Sequence, residues 1–215
     1  MNFDQARFFM VEQQIRPWDV LDQKVLDPFL NIPRHQFVEE SKQSLAYSDV
    51  ELPIGHDEFM MAPKIEARLL QALDIDETDT VLEIGTGSGF LTAVMATLGK
   101  SITTVEIHAD LQEVAKKRLA SYNNIEFKLG DASHGWEDGK QYDVIILTGS
   151  VPEIPQAYKE QLNLGGRLAV IAGQSPAMTA QILTRISEAE WETETLFETD
   201  LKPLMNAQSS EPFSL

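Results

Sequence analysis

The residues Val81-Leu82-Glu83-Ile84-Gly85-Thr86-Gly87-Ser88-Gly89 place a glycine at every second position directly after an apolar run that carries an acid. Glycine at such a turn lets the backbone adopt angles that a side chain forbids, and lets a ligand approach the peptide itself. The apolar run Phe90–Leu98 follows at once and reads as a helix, so the turn opens a helix N-terminus. Dinucleotide sites space their glycines as G-x-G-x-x-G. Here the third glycine arrives one residue early, and Glu83 stands two positions before the turn. A carboxylate beside a pyrophosphate repels it, whereas it suits a ligand that carries positive charge.

S-adenosylmethionine is such a ligand, with a sulfonium, an ammonium and no phosphate. Glu83, Gly85, Thr86, Gly87, Ser88 and Gly89 are therefore candidate cofactor-binding residues. The next strand, Ile102–Ile107, brings Glu106 and Ile107 to its end about 20 residues beyond the turn, where an acid can accept both ribose hydroxyls. The strand after that, Ile125–Leu129, runs into Gly130-Asp131-Ala132, and Asp131 can accept a hydrogen bond from an adenine amino group. The acid ending the second strand is shared with dinucleotide-binding folds; the early third glycine and Glu83 are what favour this cofactor over a dinucleotide.

These residues need a parallel sheet to converge. From Asp79 onward the chain alternates strand and helix: strands at Thr80–Ile84, Ile102–Ile107, Ile125–Leu129, Tyr142–Leu147 and Arg167–Ala172, helices at Phe90–Leu98, Ala109–Tyr122 and Ile154–Leu162. Gly165-Gly166 marks a turn into the fifth strand, and Gln181–Ser187 and Trp191–Asp200 alternate like two more strands. The expected fold is α/β, a Rossmann-like sheet of seven strands, mostly parallel with an antiparallel edge strand and helices on both faces. Residues 1–78 form an N-terminal helical extension on the substrate side, and residues 79–215 form the cofactor-binding domain, in one compact unit. Within the extension, Pro28 is expected to break or kink a helix over Val20–Ile32. Leu52-Pro53-Ile54-Gly55 reads as a turn leading to a short strand, Glu58–Met61, and Pro63 opens the helix Lys64–Leu73.

The chain has 215 residues, 34 acidic against 17 basic, for a net charge of -17. This balance argues against a nucleic-acid partner, because phosphate neutralisation needs clustered Lys and Arg. Without cysteine, thiolate catalysis, disulfides and cysteine-based metal sites are excluded. His108 and His134 have no neighbours in sequence that suggest a metal. No apolar run is long enough for a membrane span and no leader pattern opens the chain, so a cytoplasmic location is expected.

Several segments together resemble the protein-L-isoaspartate O-methyltransferase family. They are Gln13-Gln14-Ile15-Arg16, Ile32-Pro33-Arg34-His35-Gln36-Phe37-Val38, Ala46-Tyr47-Ser48-Asp49, Leu52-Pro53-Ile54-Gly55, the glycine turn, Pro152-Glu153-Ile154-Pro155, Gln161-Leu162 with Gly165-Gly166, and Lys202-Pro203-Leu204. The resemblance implies a seven-stranded methyltransferase sheet, S-adenosylmethionine, and carboxyl methylation of damaged aspartyl residues in protein repair. Family members usually follow Leu-Pro-Ile-Gly with a polar Gln-Thr-Ile-Ser-Gln-Pro stretch, whose hydroxyls flank the reacting groups. Here that span reads Glu58-Phe59-Met60-Met61-Ala62-Pro63, which makes Phe59, Met60 and Met61 candidates for the wall of a more apolar substrate pocket. The acceptor is accordingly a protein or peptide carboxylate, or a more apolar small molecule on the same fold. A non-catalytic S-adenosylmethionine-binding module is the reading from a different class.

A carboxylate acceptor is already ionised at neutral pH and needs no general base, so proximity and exclusion of water supply most of the acceleration. If the acceptor has to lose a proton, His56 and Glu58 are the candidate bases.

Overall fold

The computed structural model describes residues 2–207. Nine strands and six α-helices are present among them, besides one short π-helical and three 3₁₀ segments: α1 (Phe3–Met10), α2 (Gln23–Asn31), β1 (Leu52–Gly55), β2 (Glu58–Met60), α3 (Pro63–Leu73), β3 (Thr80–Ile84), α4 (Phe90–Leu98), β4 (Ser101–Glu106), α5 (Ala109–Arg118), β5 (Ile125–Leu129), β6 (Tyr142–Leu147), α6 (Gln156–Glu160), β7 (Leu162–Gln174), β8 (Ala177–Ser187) and β9 (Glu190–Thr199). The seven-stranded sheet runs β5-β4-β3-β6-β7-β8-β9. Pairing is parallel from β5 to β7, and β8 and β9 complete the sheet as an antiparallel edge. Chain order reverses between β3 and β6, so a crevice opens outside their carboxyl ends, the usual ligand position in such sheets.

Both faces of the central strands are buried, which is why these strands read as near-continuous apolar runs. Val81, Val144 and Ala169 point into one cluster, while their neighbours Leu82, Ile145 and Val170 point into the other. The first cluster also contains Met10, Ile15, Leu26 and Phe29 from the N-terminal segment, with Leu69 and Leu70 of α3 and Val94 of α4. The extension is therefore packed into the same core as the sheet. Arg34, fully buried, binds the extension together and touches the sheet domain: within the extension its guanidinium pairs with Glu66 of α3 and donates to the Met61 carbonyl, and it lies 4.6 Å over the Phe90 ring of α4. Burial raises Glu66 to about 7 against the opposing pull of Arg34.

Four local expectations are revised. Helix α2 continues through Pro28 without interruption. The N–H that proline lacks would have served Lys24, an exposed residue of the first turn, whose carbonyl water can satisfy. Leu52–Gly55 is a strand rather than a turn, and the turn falls at His56-Asp57, both at positive φ (52° and 59°). Two successive left-handed residues give the tight connection that suits the twist of a β-hairpin. Gly165-Gly166 lies inside β7, where the pairing with β6 jumps from Tyr142↔Leu162 to Val144↔Arg167, so the glycines sit in a bulge. The helices expected at Ala109–Tyr122 and Ile154–Leu162 are shorter, ending at Arg118 and spanning Gln156–Glu160.

Candidate active site

The crevice is open to solvent on one side. Its floor is the carboxyl ends of β3, β4, β5 and β6: Ile84 and Gly85, Val105 to His108, Gly130 to Ser133, and Thr148-Gly149. Its outer walls are Ile54, Glu58 and Phe59 of the β1–β2 hairpin and the segment Leu201–Met205.

The glycine turn is built as its sequence requires. Gly85, Gly87 and Gly89 all have positive φ (96°, 51° and 85°). A Cβ at Gly85 would lie 2.2 Å from Thr148 Oγ1, which donates to the carbonyls of Ile84 and Gly85 at 2.8 and 2.9 Å. Thr148 thus clamps the turn to the end of β6, and only glycine leaves room for it. Glu106 is set from three sides: its Oε2 accepts the Gly87 N–H at 2.8 Å, and its Oε1 accepts the N–H groups of Ile107 and His108 at 2.9 and 3.0 Å. Asp131 accepts from the Ser133 N–H at 2.9 Å and from the Asn206 amide at 2.8 Å. Burial acts to raise the Asp131 carboxyl, but these hydrogen bonds hold it below the ordinary aspartate value. Tyr158 donates its hydroxyl to the Ala132 carbonyl, fixing the loop behind Asp131.

Of the ten expected cofactor residues, Gly85, Gly87, Glu106, Ile107, Asp131 and Ala132 line this crevice. Thr86, Ser88 and Gly89 are not on its walls. Thr86 shares a 2.6 Å hydrogen bond with Thr104, the Ser88 hydroxyl accepts from the Phe90 N–H, and Gly89 faces Leu119 and Ala115 of the α5 segment. Glu83 needs a larger correction. It is fully buried on the opposite face of β3 from Leu82 and Ile84, where its Oε2 accepts hydroxyl donors from Thr92 and Thr104, both at 2.6 Å. Burial lifts it to about 8, so it is largely neutral at pH 7 and supports the turn from below rather than presenting charge to a ligand.

Among the substrate-side candidates, Phe59 lines the crevice and is 39% exposed. Met60 and Met61 do not. Strand alternation turns Met60 inward opposite Leu52, and Met61 is buried in the core above the Arg34 pair. His56 is also off the wall, at the hairpin corner, with Nε2 2.8 and 2.9 Å from the Asp110 carboxylate oxygens and its ring stacked 4.0 Å from His108. Glu58 lines the crevice but is paired with Lys202 at 3.2 Å. Neither is placed as a free base. His35 packs the N-terminal segment, stacked on Phe3 and bonded to the Tyr47 hydroxyl at 2.7 Å.

Sequence reading missed Thr148, Gly149, Ser133, His108 and Lys202 as parts of the crevice. The polar Thr148-Gly149-Ser150 at the end of an apolar strand was the available signal for the first two. His108 carries a buried Nε2 with no partner in the crevice wall, a group a ligand hydroxyl can satisfy.

A doubly wound seven-stranded sheet with this turn, and with acids closing the second and third of its strands, defines an S-adenosylmethionine-dependent methyltransferase. The profile of the protein-L-isoaspartate(D-aspartate) O-methyltransferase (PCMT) family matches residues 7–209, and the chain belongs to that family. A protein-L-isoaspartate O-methyltransferase of Geobacter metallireducens is 40% identical over 192 residues, 88% of each chain. One from Dictyoglomus thermophilum is 46% identical over 156 residues, 72% of this chain and 71% of the relative. Among solved structures, a protein-L-isoaspartate O-methyltransferase superposes with a TM-score of 0.79 at 25% identity, over 94% of this chain and 65% of its own length. A Plasmodium falciparum chain bearing the same family name, in complex with S-adenosyl-L-homocysteine, shares the fold with a TM-score of 0.79 at 18% identity, over 95% of this chain and 98% of its own.

Proposed function

We propose that this protein methylates the free carboxylate of isoaspartyl residues in damaged polypeptides, using S-adenosylmethionine held in the crevice above β3, β4 and β5. The carrying observation is the preset acid pair, Glu106 and Asp131, facing one cavity beside a turn at which only glycine fits. In this reading Glu106 accepts the ribose hydroxyls and Asp131 the adenine amino group. Ile107 and Ala132 flank the base, and Gly85 and Gly87 let the remaining part of the cofactor approach the backbone. When bound, the cofactor supplies a methyl group on a sulfonium. The protein's own contribution is to orient the acceptor carboxylate and keep water out, since no proton has to move. That requirement agrees with a site in which His56 and Glu58 are both engaged elsewhere.

Calorimetry with S-adenosylhomocysteine, followed by methyl transfer to an isoaspartyl peptide and its normal aspartyl twin, tests this reading. Binding with methylation of the isoaspartyl peptide alone supports it, and binding without methylation of that peptide refutes it. Phe59 and Met205, both 39% exposed on the crevice wall, favour one competitor, a more apolar acceptor. Labelling of apolar small molecules in the same assay, with the peptide left unmodified, would select that competitor.

A further inference from the structure

A carboxylate acceptor entering this crevice meets an adverse field. Glu51, Glu58, Glu106 and Asp131 line the crevice, and a groove that opens beside it, sharing Glu51, Leu201, Lys202 and Pro203, adds Asp200. A like charge close to the entering carboxylate opposes its binding. The hairpin offers no compensating hydroxyl, because Phe59 and Met61 stand where the resembled family carries Thr and Ser. Something else has to supply a donor and a positive charge.

Among the described residues, Lys202 is the one Lys or Arg on the walls of either the crevice or the groove. The lysine is held in place through its backbone. Ser150 donates to the Lys202 carbonyl at 3.0 Å and accepts from the Leu204 N–H at 2.9 Å, its hydroxyl donates to the Leu201 carbonyl at 2.7 Å, and Pro203 bridges Ser150 in parallel. This close approach depends on Gly149, where a Cβ would fall 2.8 Å from the Leu204 side chain and 3.0 Å from its nitrogen. The lysine is thereby zipped to the carboxyl edge of β6, next to Thr148 and the glycine turn. Its side chain is 32% exposed, and its ammonium lies 3.2 Å from Glu58 Oε1 and 3.2 Å from Asp57 Oδ2 and also donates to the Asp57 carbonyl. An ammonium has three donors and pivots on a flexible stem, so a stronger carboxylate partner can displace one of these contacts while the others persist.

We infer that Lys202 is the acceptor-binding residue of this chain, pairing with the substrate carboxylate in place of the hydroxyls that the β1–β2 hairpin lacks. Glu58 and Asp57 hold the ammonium at the junction of crevice and groove before the acceptor arrives. One carboxylate oxygen faces Lys202 and the other is left for the methyl group. The groove beyond it, bounded by Pro152, Gly173, Gln174, Ser175 and Met178, gives the flanking polypeptide a path.

The inference rests on the isoaspartyl reading, and one experiment separates the two. Calorimetry on protein loaded with S-adenosylhomocysteine compares an isoaspartyl peptide with a twin in which that carboxyl is a carboxamide. Wild type is expected to prefer the carboxylate, K202M to weaken carboxylate binding by about tenfold to a hundredfold and lose the preference, and K202R to keep most of it. Unchanged affinity of K202M for S-adenosylhomocysteine certifies its fold. If K202M retains the preference while wild type methylates the peptide, the Lys202 assignment is overturned and the proposed function stands. If K202M misfolds, K202R and wild type decide: loss of the preference in K202R, or its absence in a wild type that methylates the peptide, overturns the assignment. A wild type that binds S-adenosylhomocysteine but neither prefers nor methylates the isoaspartyl peptide overturns both.

Discussion

Glu106 and Gly85 show two different ways in which one residue type becomes indispensable. Glu106 already accepts three backbone N–H groups, so its carboxylate is fixed before any ligand arrives and little ordering remains to be done on binding. Glu106→Ala is expected to weaken S-adenosylhomocysteine binding by about tenfold to a hundredfold in calorimetry. Gly85 acts by absence. Gly85→Ala places a methyl group on Thr148 Oγ1 and forces alanine to a φ of 96°, with about 1–3 kcal/mol of backbone strain alone. Its melting temperature should fall, and Gly85→Ala combined with Thr148→Ala should recover only the steric part.

The β1–β2 hairpin and the Leu201–Met205 segment wall a crevice that the sheet alone would leave open. The hairpin is tied on both sides, to α5 by His56–Asp110 and to the C-terminal segment by Asp57 and Glu58 with Lys202. Within the extension, Arg34 and Glu66 form a buried pair that holds residues before the hairpin against α3. Removing one partner of that buried pair leaves the other uncompensated, so Arg34→Met is expected to cost about 3–5 kcal/mol in chemical denaturation. Arg34→Met with Glu66→Leu should be less damaging than Arg34→Met alone, because no charge is then left in the core. A double mutant no more stable than the single one would show that Arg34 acts through packing on Phe90.

At the scale of the whole molecule, two buried acids tie stability to pH. Burial raises Glu83 to about 8 and Glu66 to about 7, so the folded state holds protons that the unfolded chain has released above about 4.5. At these two groups the folded form binds more protons over that window, so their contribution to stability declines as pH rises. Each group contributes fully below about 4.5, and its contribution is lost as pH passes through its folded value, with a slope approaching about 1.4 kcal/mol per pH unit between the two. Glu83→Gln, which keeps acceptors for Thr92 and Thr104, should flatten the decline between pH 5 and 8 in denaturant titrations, leaving the smaller part due to Glu66. Much of this architecture was legible in the chain. Apolar runs of five or six residues separated by helical periods specify a parallel sheet, since strands buried on both faces have no polar alternation to show. The Gly85 to Gly89 spacing and the acids at 106 and 131 mark the ends of β3, β4 and β5, because their roles depend on local geometry that short segments encode. Contacts between distant segments were not legible. Which side of β3 Glu83 occupies is set by what packs above and below it, and α4 with Thr92 made it a buried neutral acid. Met61 is buried in the core, and its carbonyl accepts from Arg34, 27 residues earlier. Lys202 meets the hairpin across 144 residues of chain. Sequence alone determined the seven strands of the sheet, the glycine turn and the family. Tertiary structure alone decided which side chains reach the crevice, because burial and long-range pairing are properties of the packed molecule and not of any segment within it.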